Sequence, residues 1–165
     1  MKVRLASELQ KDSIIDGKGI RTVIWFQGCS HKCLGCQNPG THSFDGGFVC
    51  DTKDIFVQID ELSYQSGITL SGGDPFYQAD AAREIAHYAH QKGLNVWAYT
   101  GFVFEDILKS ENSMKKLLEE IDVLVDGPFI IEKKSFGCKF RGSTNQRIID
   151  VAKSLESGKV CLYEV

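Results

Sequence analysis

The feature that most restricts the fold of this chain is a repeated order of strand, glycine-containing loop and helix. Four segments have the β-branched and apolar composition of strands: Thr22–Gln27, Ile68–Leu70, Leu94–Thr100 and Val123–Val125. The loops that follow them read GCSHKCLGC, SGGDP, TGF and DGPF. Strands that alternate with helices form parallel sheets with right-handed crossovers. We therefore expect all four loops at one edge of the sheet, where α/β proteins bind their ligands.

Helices are predicted between and after these strands, at Thr52–Gln65, Gln78–Gln91 and Ser113–Glu120. Thr52 is the expected cap of the first helix, and Gly67 and Gly93 follow the first two helices as stop signals. The chain from Arg147 onwards is expected to add one or two strands. A closed eight-unit barrel needs about 250 residues, and this chain has 165. We therefore predict a single domain over residues 1–165, an α/β open partial (βα) barrel with a mostly parallel sheet.

The composition excludes some classes of function. The formal net charge is −3, with 42% hydrophobic and 25% charged residues, which is ordinary for a globular protein. This charge gives no general attraction to nucleic acid or to an anionic membrane. No apolar run approaches the roughly 18 residues of a membrane span, and the opening MKVRLASELQKDS lacks the apolar core of a signal peptide. We expect a cytoplasmic protein, in which six cysteines indicate metal or redox chemistry rather than disulfides.

Half of the cysteines form a compact C-x3-C-x2-C array directly after the first strand: Cys29, Cys33 and Cys36. Thiolates are soft ligands that suit iron and zinc, yet structural zinc and cubane clusters usually take four protein ligands. One alternative is a [4Fe–4S] cluster that leaves one iron open to an external ligand. Another is a zinc site completed by a nearby side chain: His31, His42 or Cys50. A third is that the cysteines only pack; the spacing favours the iron–sulfur cluster.

The cysteine array, joined to GGDP after the second strand, resembles the radical S-adenosylmethionine (SAM) superfamily. Within it, DGKGIRTVIWFQGCSHKCLGCQNP (Asp16–Pro39) resembles the activating enzymes of glycyl-radical proteins. Two groups share this front end: pyruvate formate-lyase activases and anaerobic ribonucleoside-triphosphate reductase-activating proteins. The short chain favours the second group, and so do VLVDGPF (Val123–Phe129) and FRGSTNQRIID (Phe140–Asp150). The resemblance implies the open barrel of the radical SAM type.

The resemblance also implies the site. The three cysteines of the array would hold a [4Fe–4S] cluster, and SAM would bind the open iron through its amino group and carboxylate. The expected SAM contacts come from two loops: Gly35, Cys36, Gln37, Gly72, Gly73 and Asp74. Gly72 and Gly73 would let backbone approach the ligand, and Asp74 would accept a hydrogen bond from its ammonium group. Gly35 stands where the wider superfamily commonly has an aromatic residue against the adenine, so another group must pack there.

The implied reaction is reductive cleavage of SAM. A low-potential donor such as flavodoxin would supply an electron, and the resulting 5′-deoxyadenosyl radical would take hydrogen from a glycine of anaerobic ribonucleoside-triphosphate reductase. That step is downhill, because the glycyl radical is shared with its flanking amide groups. No acid–base pair is needed, so no catalytic residue is predicted beyond the cluster and SAM. The alternatives are an activase of the pyruvate formate-lyase type and a non-catalytic, zinc-stabilised binding module.

The remaining chemically active residues have simpler interpretations. The other cysteines are predicted to be buried thiols that pack as small hydrophobes: Cys50, Cys138 and Cys161. His87 and His90 are predicted to lie on a solvated helix face. The segment Lys133–Arg147 has five cationic and no acidic side chains, which fits a flexible loop or a docking surface for the reductase or the electron donor. Within it, Arg141 and Asn145 are candidates to face the active-site edge.

Overall fold

The computed structural model describes residues Met1–Val165 and contains one sheet of eight strands. The strands are β1 (Lys2–Leu5), β2 (Gln10–Ser13), β3 (Arg21–Phe26), β4 (Phe48–Asp51), β5 (Gly67–Gly72), β6 (Asn95–Tyr99), β7 (Val123–Asp126) and β8 (Arg147–Asp150). Their order is β4-β1-β3-β5-β6-β7-β8, and β2 also pairs with β3. β1 and β2 share one side of β3, with β1 at Phe26 and β2 at Arg21 and Val23.

The prediction of a mostly parallel sheet is wrong, because the sheet is mixed. Parallel pairing joins β3 to β5, β5 to β6 and β6 to β7, so these four strands form a parallel centre. β1, β2, β4 and β8 all pair antiparallel. Antiparallel neighbours need no helical crossover, and β1 and β2 precede β3 with no helix between them. All four flanking strands have only four residues, so their sequences are too short to indicate the direction of pairing.

Five α-helices accompany the sheet: α1 (Thr52–Asp60), α2 (Ala79–Gln91), α3 (Phe104–Lys109), α4 (Ser113–Leu118) and α5 (Val151–Ser157). The cap of α1 is Asp51 rather than Thr52, since the Asp51 side chain accepts from the Lys53 amide and Asp54 completes a capping box. α1 also ends before the predicted Gln65. A short 3-10 helix, Pro75–Gln78, precedes α2. α3 was not predicted, and α5 follows β8 where a second strand was a possibility.

The main core lies between one face of the sheet and helices α1 to α4. These helices pack side by side, α1 on α2, α2 on α4 and α3 on α4. The predicted apolar face of α2 is confirmed, because its members are all fully buried: Ala82, Ile85, Ala86 and Ala89. From the sheet, Ile24, Leu70 and Ala98 point into the same core. Since strand side chains alternate between faces, Trp25 and Tyr99 lie on the opposite face, which these helices leave uncovered.

The amino-terminal edge of the parallel centre is closed by a buried arginine. Arg21 donates from Nε to Thr69 Oγ1 (2.8 Å) and from Nη2 to the Ile68 carbonyl oxygen (2.6 Å) and Asn95 Oδ1 (3.0 Å). Its guanidinium also lies over the Trp97 ring, 5.5 Å from the ring centroid. Burial lowers the pKa of Arg21 to about 10. The guanidinium therefore joins the starts of β5 and β6 at the edge remote from the strands' carboxyl ends.

The two histidines of α2 contact carboxylates instead of facing only solvent. His90 Nε2 lies 2.8 Å from Asp122 Oδ2, an atom that also accepts the Val96 N–H. His87 Nδ1 lies 3.2 Å from Glu120 Oε1. The prediction of a purely solvated face is therefore wrong for His90, which links α2 to the segment before β7.

No helix of the structure is both long and apolar enough to cross a bilayer.

Candidate active site

A cavity of about 920 Å³ opens at the carboxyl ends of the parallel strands. Each of the four strand-end loops contributes to its wall: Cys29 after β3, Gly73 after β5, Gly101 after β6 and Gly127 after β7. The structure thus confirms the prediction that these loops meet at one edge. The cavity lies on the uncovered face of the sheet, and Trp25 is part of its wall.

All three cysteines of the array line this cavity, and all three are free thiols. They do not converge into a preformed group of three metal ligands. The loop that carries them has neither helix nor strand before Pro39. Its course is instead fixed at its start, where the Cys29 amide donates to the His42 carbonyl oxygen (3.0 Å), and near its end, where the Cys36 amide donates to the Cys33 carbonyl oxygen (3.1 Å).

The donor set fits an iron–sulfur cluster. Three soft sulfur ligands belong to one loop, and the Asn38 amide points at Cys36 Sγ (3.4 Å), which suits a sulfur that carries negative charge. Burial raises the pKa of the Cys29 thiol to about 11. A bound cationic centre would therefore have to displace this proton, as metals do when they bind thiolates.

The glycines of SGGDP allow β5 to end directly against the cysteine loop. Gly72 has φ +104°, and a Cβ there would lie 2.4 Å from the Phe26 carbonyl oxygen. A Cβ on Gly73 would lie 2.4 Å from the Gly28 carbonyl oxygen. The Gly73 and Asp74 amides donate to these same two oxygens, at 2.8 Å and 3.0 Å. Both glycines line the cavity, and their missing side chains serve contact between two protein loops as well as access to the cavity.

Asp74 is buried beneath the cavity wall and is not one of its lining residues. Its Oδ2 accepts from Thr100 Oγ1 (2.9 Å) and the Gly101 amide (3.0 Å), and lies 2.7 Å from His31 Nε2. Its Oδ1 accepts from the Phe76 amide (3.0 Å). The carboxylate therefore connects three strand-end loops in this structure. The contact expected between Asp74 and the SAM ammonium group stays a prediction.

The cysteine loop places its other predicted SAM contacts in two ways. Cys36 and Gln37 line the cavity. Gly35 does not line the cavity, because it has φ +75° and lies against Ile131, whose Cδ1 would be 2.6 Å from a Cβ at that position.

A set of aromatic residues on the cavity wall was not predicted from the sequence: Trp25, Tyr99, Phe129, Phe136 and Phe140. The alternation of side chains in β3 and β6 could have indicated the first two.

Comparisons with known proteins support an iron–sulfur domain in this chain. Residues 15–149 match a protein family described as a 4Fe-4S single cluster domain. Proteins named anaerobic ribonucleoside-triphosphate reductase-activating protein are similar to this chain. The one from Vibrio cholerae is 32% identical over 149 residues, 82% of this chain and 90% of that protein. The one from Pasteurella multocida is 34% identical over 146 residues with the same coverage. The one from Enterobacteria phage T4 is 35% identical over 143 residues, 81% of this chain and 86% of that protein.

This chain belongs to the anaerobic ribonucleoside-triphosphate reductase-activating protein family. The resemblance found in the sequence is thereby confirmed, and the family description supports an iron–sulfur cluster. Among solved structures, QueE from Escherichia coli matches with a TM-score of 0.53 at 16% identity. The match covers 61% of this chain and 53% of QueE, and it shows that the fold of the matched part is shared.

In this activating-protein family member, the tail after β7 forms part of the cavity wall. Lys134 and Ser143 pair as an isolated bridge, so the residues between them form a hairpin. The hairpin presents Lys139 and Arg141 to the cavity, which confirms the expectation for Arg141. Asn145 is not among the lining residues, and its Nδ2 instead donates to the Pro128 carbonyl oxygen (2.8 Å).

The cysteines outside the array are not buried as predicted, because each is only partly buried. Cys50 packs at the margin of the main core in β4. Cys161 contacts Ser157 near the end of α5. Cys138 is the most informative correction, since it lies in the hairpin and lines the same cavity as the array. A fourth thiol therefore faces the site, although no spacing in the sequence connects it with the other three.

Proposed function

We propose that this protein is a radical SAM activase, an oxidoreductase that cleaves SAM reductively and generates a glycyl radical on an anaerobic ribonucleoside-triphosphate reductase. The observation that carries this proposal is the three-cysteine loop on the wall of a cavity at the carboxyl edge of the parallel strands. The relatives' names favour the reductase over a partner of the pyruvate formate-lyase type. The description of the matched family favours an iron–sulfur cluster over a zinc-stabilised module.

In this proposal Cys29, Cys33 and Cys36 hold the cluster, and the remaining wall binds SAM and excludes water. When bound, the reduced cluster would supply one electron for cleavage of the S–C5′ bond of SAM, with methionine as the leaving group and 5′-deoxyadenosine and the glycyl radical as the other products. Gln37 and the backbone at Gly72 and Gly73 are the proposed SAM contacts, with Gly35 and Asp74 as contacts that need a local change. Aromatic side chains of the wall would pack the adenine in place of the residue absent at Gly35.

The size of the cavity suits more than SAM. Ligand pockets typically measure about 300–1,000 Å³, and this cavity, at about 920 Å³, lies near the top of that range. Exposed apolar residues also lie on its wall, with exposed fractions of 68% for Ile14, 73% for Ile15 and 95% for Phe136. We propose that the outer part of the cavity receives the glycine-bearing segment of the reductase.

The central experiment is anaerobic reconstitution with iron and sulfide, followed by electron paramagnetic resonance of the reduced protein with and without SAM. We expect a cluster signal that changes when SAM is added, release of 5′-deoxyadenosine, and a glycyl-radical signal when the reductase is present. Pyruvate formate-lyase serves as the control partner and should gain no radical. A colourless protein with one tightly held zinc ion per chain would refute the proposal.

The hairpin is the proposed docking surface for the reductase. Lys133, Lys134 and Lys139 lie in or beside it, whereas Arg147 is not free to dock, because it is paired with Glu105 and Asp126. Reversal of the three lysine charges should weaken activation of the reductase at low salt, where charge attraction is least screened. SAM cleavage without the reductase should persist when only Lys133 and Lys134 are reversed, because neither of these two residues lines the cavity. The matched control is Lys53→Glu, on the exposed surface of α1; equal activation by both variants would exclude this surface.

Three finer features belong to the same proposal. The proposed architecture is an open partial barrel, which is supported by a cavity on one face of a sheet whose other face is covered by helices. The proposed electron donor is a low-potential protein such as flavodoxin. The proposed location is the cytoplasm, where the thiols stay reduced. Pull-down of the reduced protein with flavodoxin, compared with an unrelated flavoprotein, tests the donor.

A further inference from the structure

His31 connects the cysteine loop to the interior of the protein. It lies between Cys29 and Cys33 in the sequence, and its Nε2 is 2.7 Å from Asp74 Oδ2. The exposed fraction of the side chain is 17% for His31 and 1% for Asp74. A short hydrogen bond to a buried carboxylate therefore joins the middle of an irregular loop to the end of β5.

The surroundings of His31 are shaped to hold its ring. The ring meets Phe102 edge to face, with centroids 4.6 Å apart, and lies against Tyr77 at 5.5 Å. Gly101 makes room for it, because a Cβ at that position would lie 2.6 Å from His31 Cδ2. Beside it, Ser30 Oγ and the Tyr77 hydroxyl are 2.6 Å apart, which adds a second polar contact between the cysteine loop and the rest of the protein.

Asp74 is held independently of His31. Its carboxylate keeps donors from Thr100 Oγ1, the Gly101 amide and the Phe76 amide if His31 is removed. Loss of His31 would therefore not leave a buried charge without partners, which is the usual cause of severe destabilisation. Its specific effect would fall on the cysteine loop, which has no helix or strand to hold its middle.

We propose that His31 is a positioning residue: its hydrogen bond to Asp74 sets the orientation of the Cys29–Cys33 segment against the loops after β5 and β6. The inference rests on the proposed function only where it concerns the cluster. In this proposal, Asp74 of GGDP orients the cysteine loop through His31, in addition to its expected contact with SAM.

The test uses three variants of the full chain. His31→Phe keeps an aromatic ring and removes the donor, and His31→Gln restores an amide donor on a flexible side chain. Thr100→Val removes another donor to the same Asp74 oxygen, and with it the acceptor of the Phe102 amide, while the residues of the cysteine loop stay unchanged. The first readout is trypsin cleavage after Lys32, an exposed residue of the loop, in protein without reconstituted cluster. The second is the electron paramagnetic resonance line shape of the reduced, reconstituted protein with and without SAM.

We expect His31→Phe to be cleaved after Lys32 at least about fivefold faster than wild type, and to show a broadened cluster signal with a reduced response to SAM. His31→Gln should restore much of the wild-type resistance to trypsin and much of the wild-type cluster signal with its response to SAM. Thr100→Val should keep the wild-type cleavage rate. The proposal is overturned if His31→Phe matches wild type in both readouts, or if Thr100→Val reproduces its effects. If wild type itself shows no SAM response, the proposed function fails, while the cleavage contrast still decides the role of His31.

Discussion

At the scale of single residues, Cys138 poses the sharpest question, because it lines the cavity together with the three cysteines of the array. It differs from them in its support. Cys29, Cys33 and Cys36 share one loop after β3, whereas Cys138 comes from the hairpin bridged by Lys134 and Ser143. A cluster held by the array alone would leave one iron free for the SAM of the proposed function. A cluster that recruited Cys138 as a lasting ligand would not.

Substitution of single cysteines separates these cases. We expect Cys29→Ala, Cys33→Ala and Cys36→Ala each to lose the brown absorption at roughly 400 nm, typical of cysteine-ligated clusters, together with SAM cleavage. Cys138→Ala should keep both, because its thiol lies outside the array. Iron per chain and released 5′-deoxyadenosine are the measurements, and Cys161→Ala is the control for a remote cysteine. Loss of iron from Cys138→Ala would contradict a three-ligand cluster.

At the scale of elements, one arginine adds side-chain contacts to the backbone pairing that joins the last strand to β7. Arg147 of β8 donates to both carboxylate oxygens of Glu105 in α3, at 3.0 Å and 2.7 Å. It also pairs with Asp126 at the end of β7, whose Oδ2 accepts the Phe104 amide (2.8 Å). These bonds join a helix and two strands. They also keep Arg147 away from the cavity, although it belongs to the cationic tail.

This connection predicts a pH dependence of stability. Hydrogen bonds from Arg147 lower the pKa of Glu105 below its ordinary 4.5. The carboxylate's contribution is therefore present above pH 4.5 and is lost as the pH falls through the lowered pKa. Because Glu105 is partly exposed, we expect Glu105→Gln to cost only about 0.5–1 kcal/mol at pH 7. Thermal unfolding from pH 3 to pH 7 should show this difference shrinking at the acid end; Glu156→Gln, at an exposed position of α5, is the control substitution.

The elements found from the sequence and those missed differ in where their stability originates. β3, β5, β6 and β7 were predicted because buried central strands carry continuous apolar and β-branched runs. β2 reads QKDS and exists through its backbone pairing with β3, so its side chains give no signal. α3 and α5 have six and seven residues, lengths at which tertiary contacts decide helix formation.

The same distinction applies to the site. The cysteine array could be recognised because its three members are close in the sequence, at a spacing typical of metal ligands. The partners of Asp74 were not, because His31, Thr100 and Gly101 belong to different loops that only the fold brings together. Cys138 was missed for the same reason.

At the scale of the whole molecule, the two edges of the parallel centre have opposite characters. The carboxyl edge is open and holds the cavity between irregular loops. The amino edge is closed by Arg21, whose partners are backbone carbonyls and neutral side chains. The buried contacts of Arg21 and the cavity therefore lie at opposite ends of the parallel strands. A change at the closed edge should alter unfolding without altering the site.

Arg21→Met tests this separation. Replacement of a buried charge by an apolar side chain is often tolerated when its partner is also removed, but here the acceptors remain. The carbonyl of Ile68 and the side chains of Thr69 and Asn95 would lose the donors that Arg21 provides, and buried groups left without partners cost about 1–3 kcal/mol each.

We expect Arg21→Met to lower the free energy of unfolding by about 2–4 kcal/mol, measured by urea denaturation of the chain without reconstituted cluster. This is less than the sum for three groups, because Asn95 is only partly buried and the desolvation cost of the Arg21 charge disappears. Trypsin cleavage after Lys32, measured well below the urea midpoint, should match wild type, because the cysteine loop lies at the other edge. Arg21→Lys keeps the charge but reaches fewer acceptors, so its stability should fall between the two. Faster cleavage after Lys32 in Arg21→Met under native conditions would show that the two edges are coupled and that the closed edge also supports the geometry of the site.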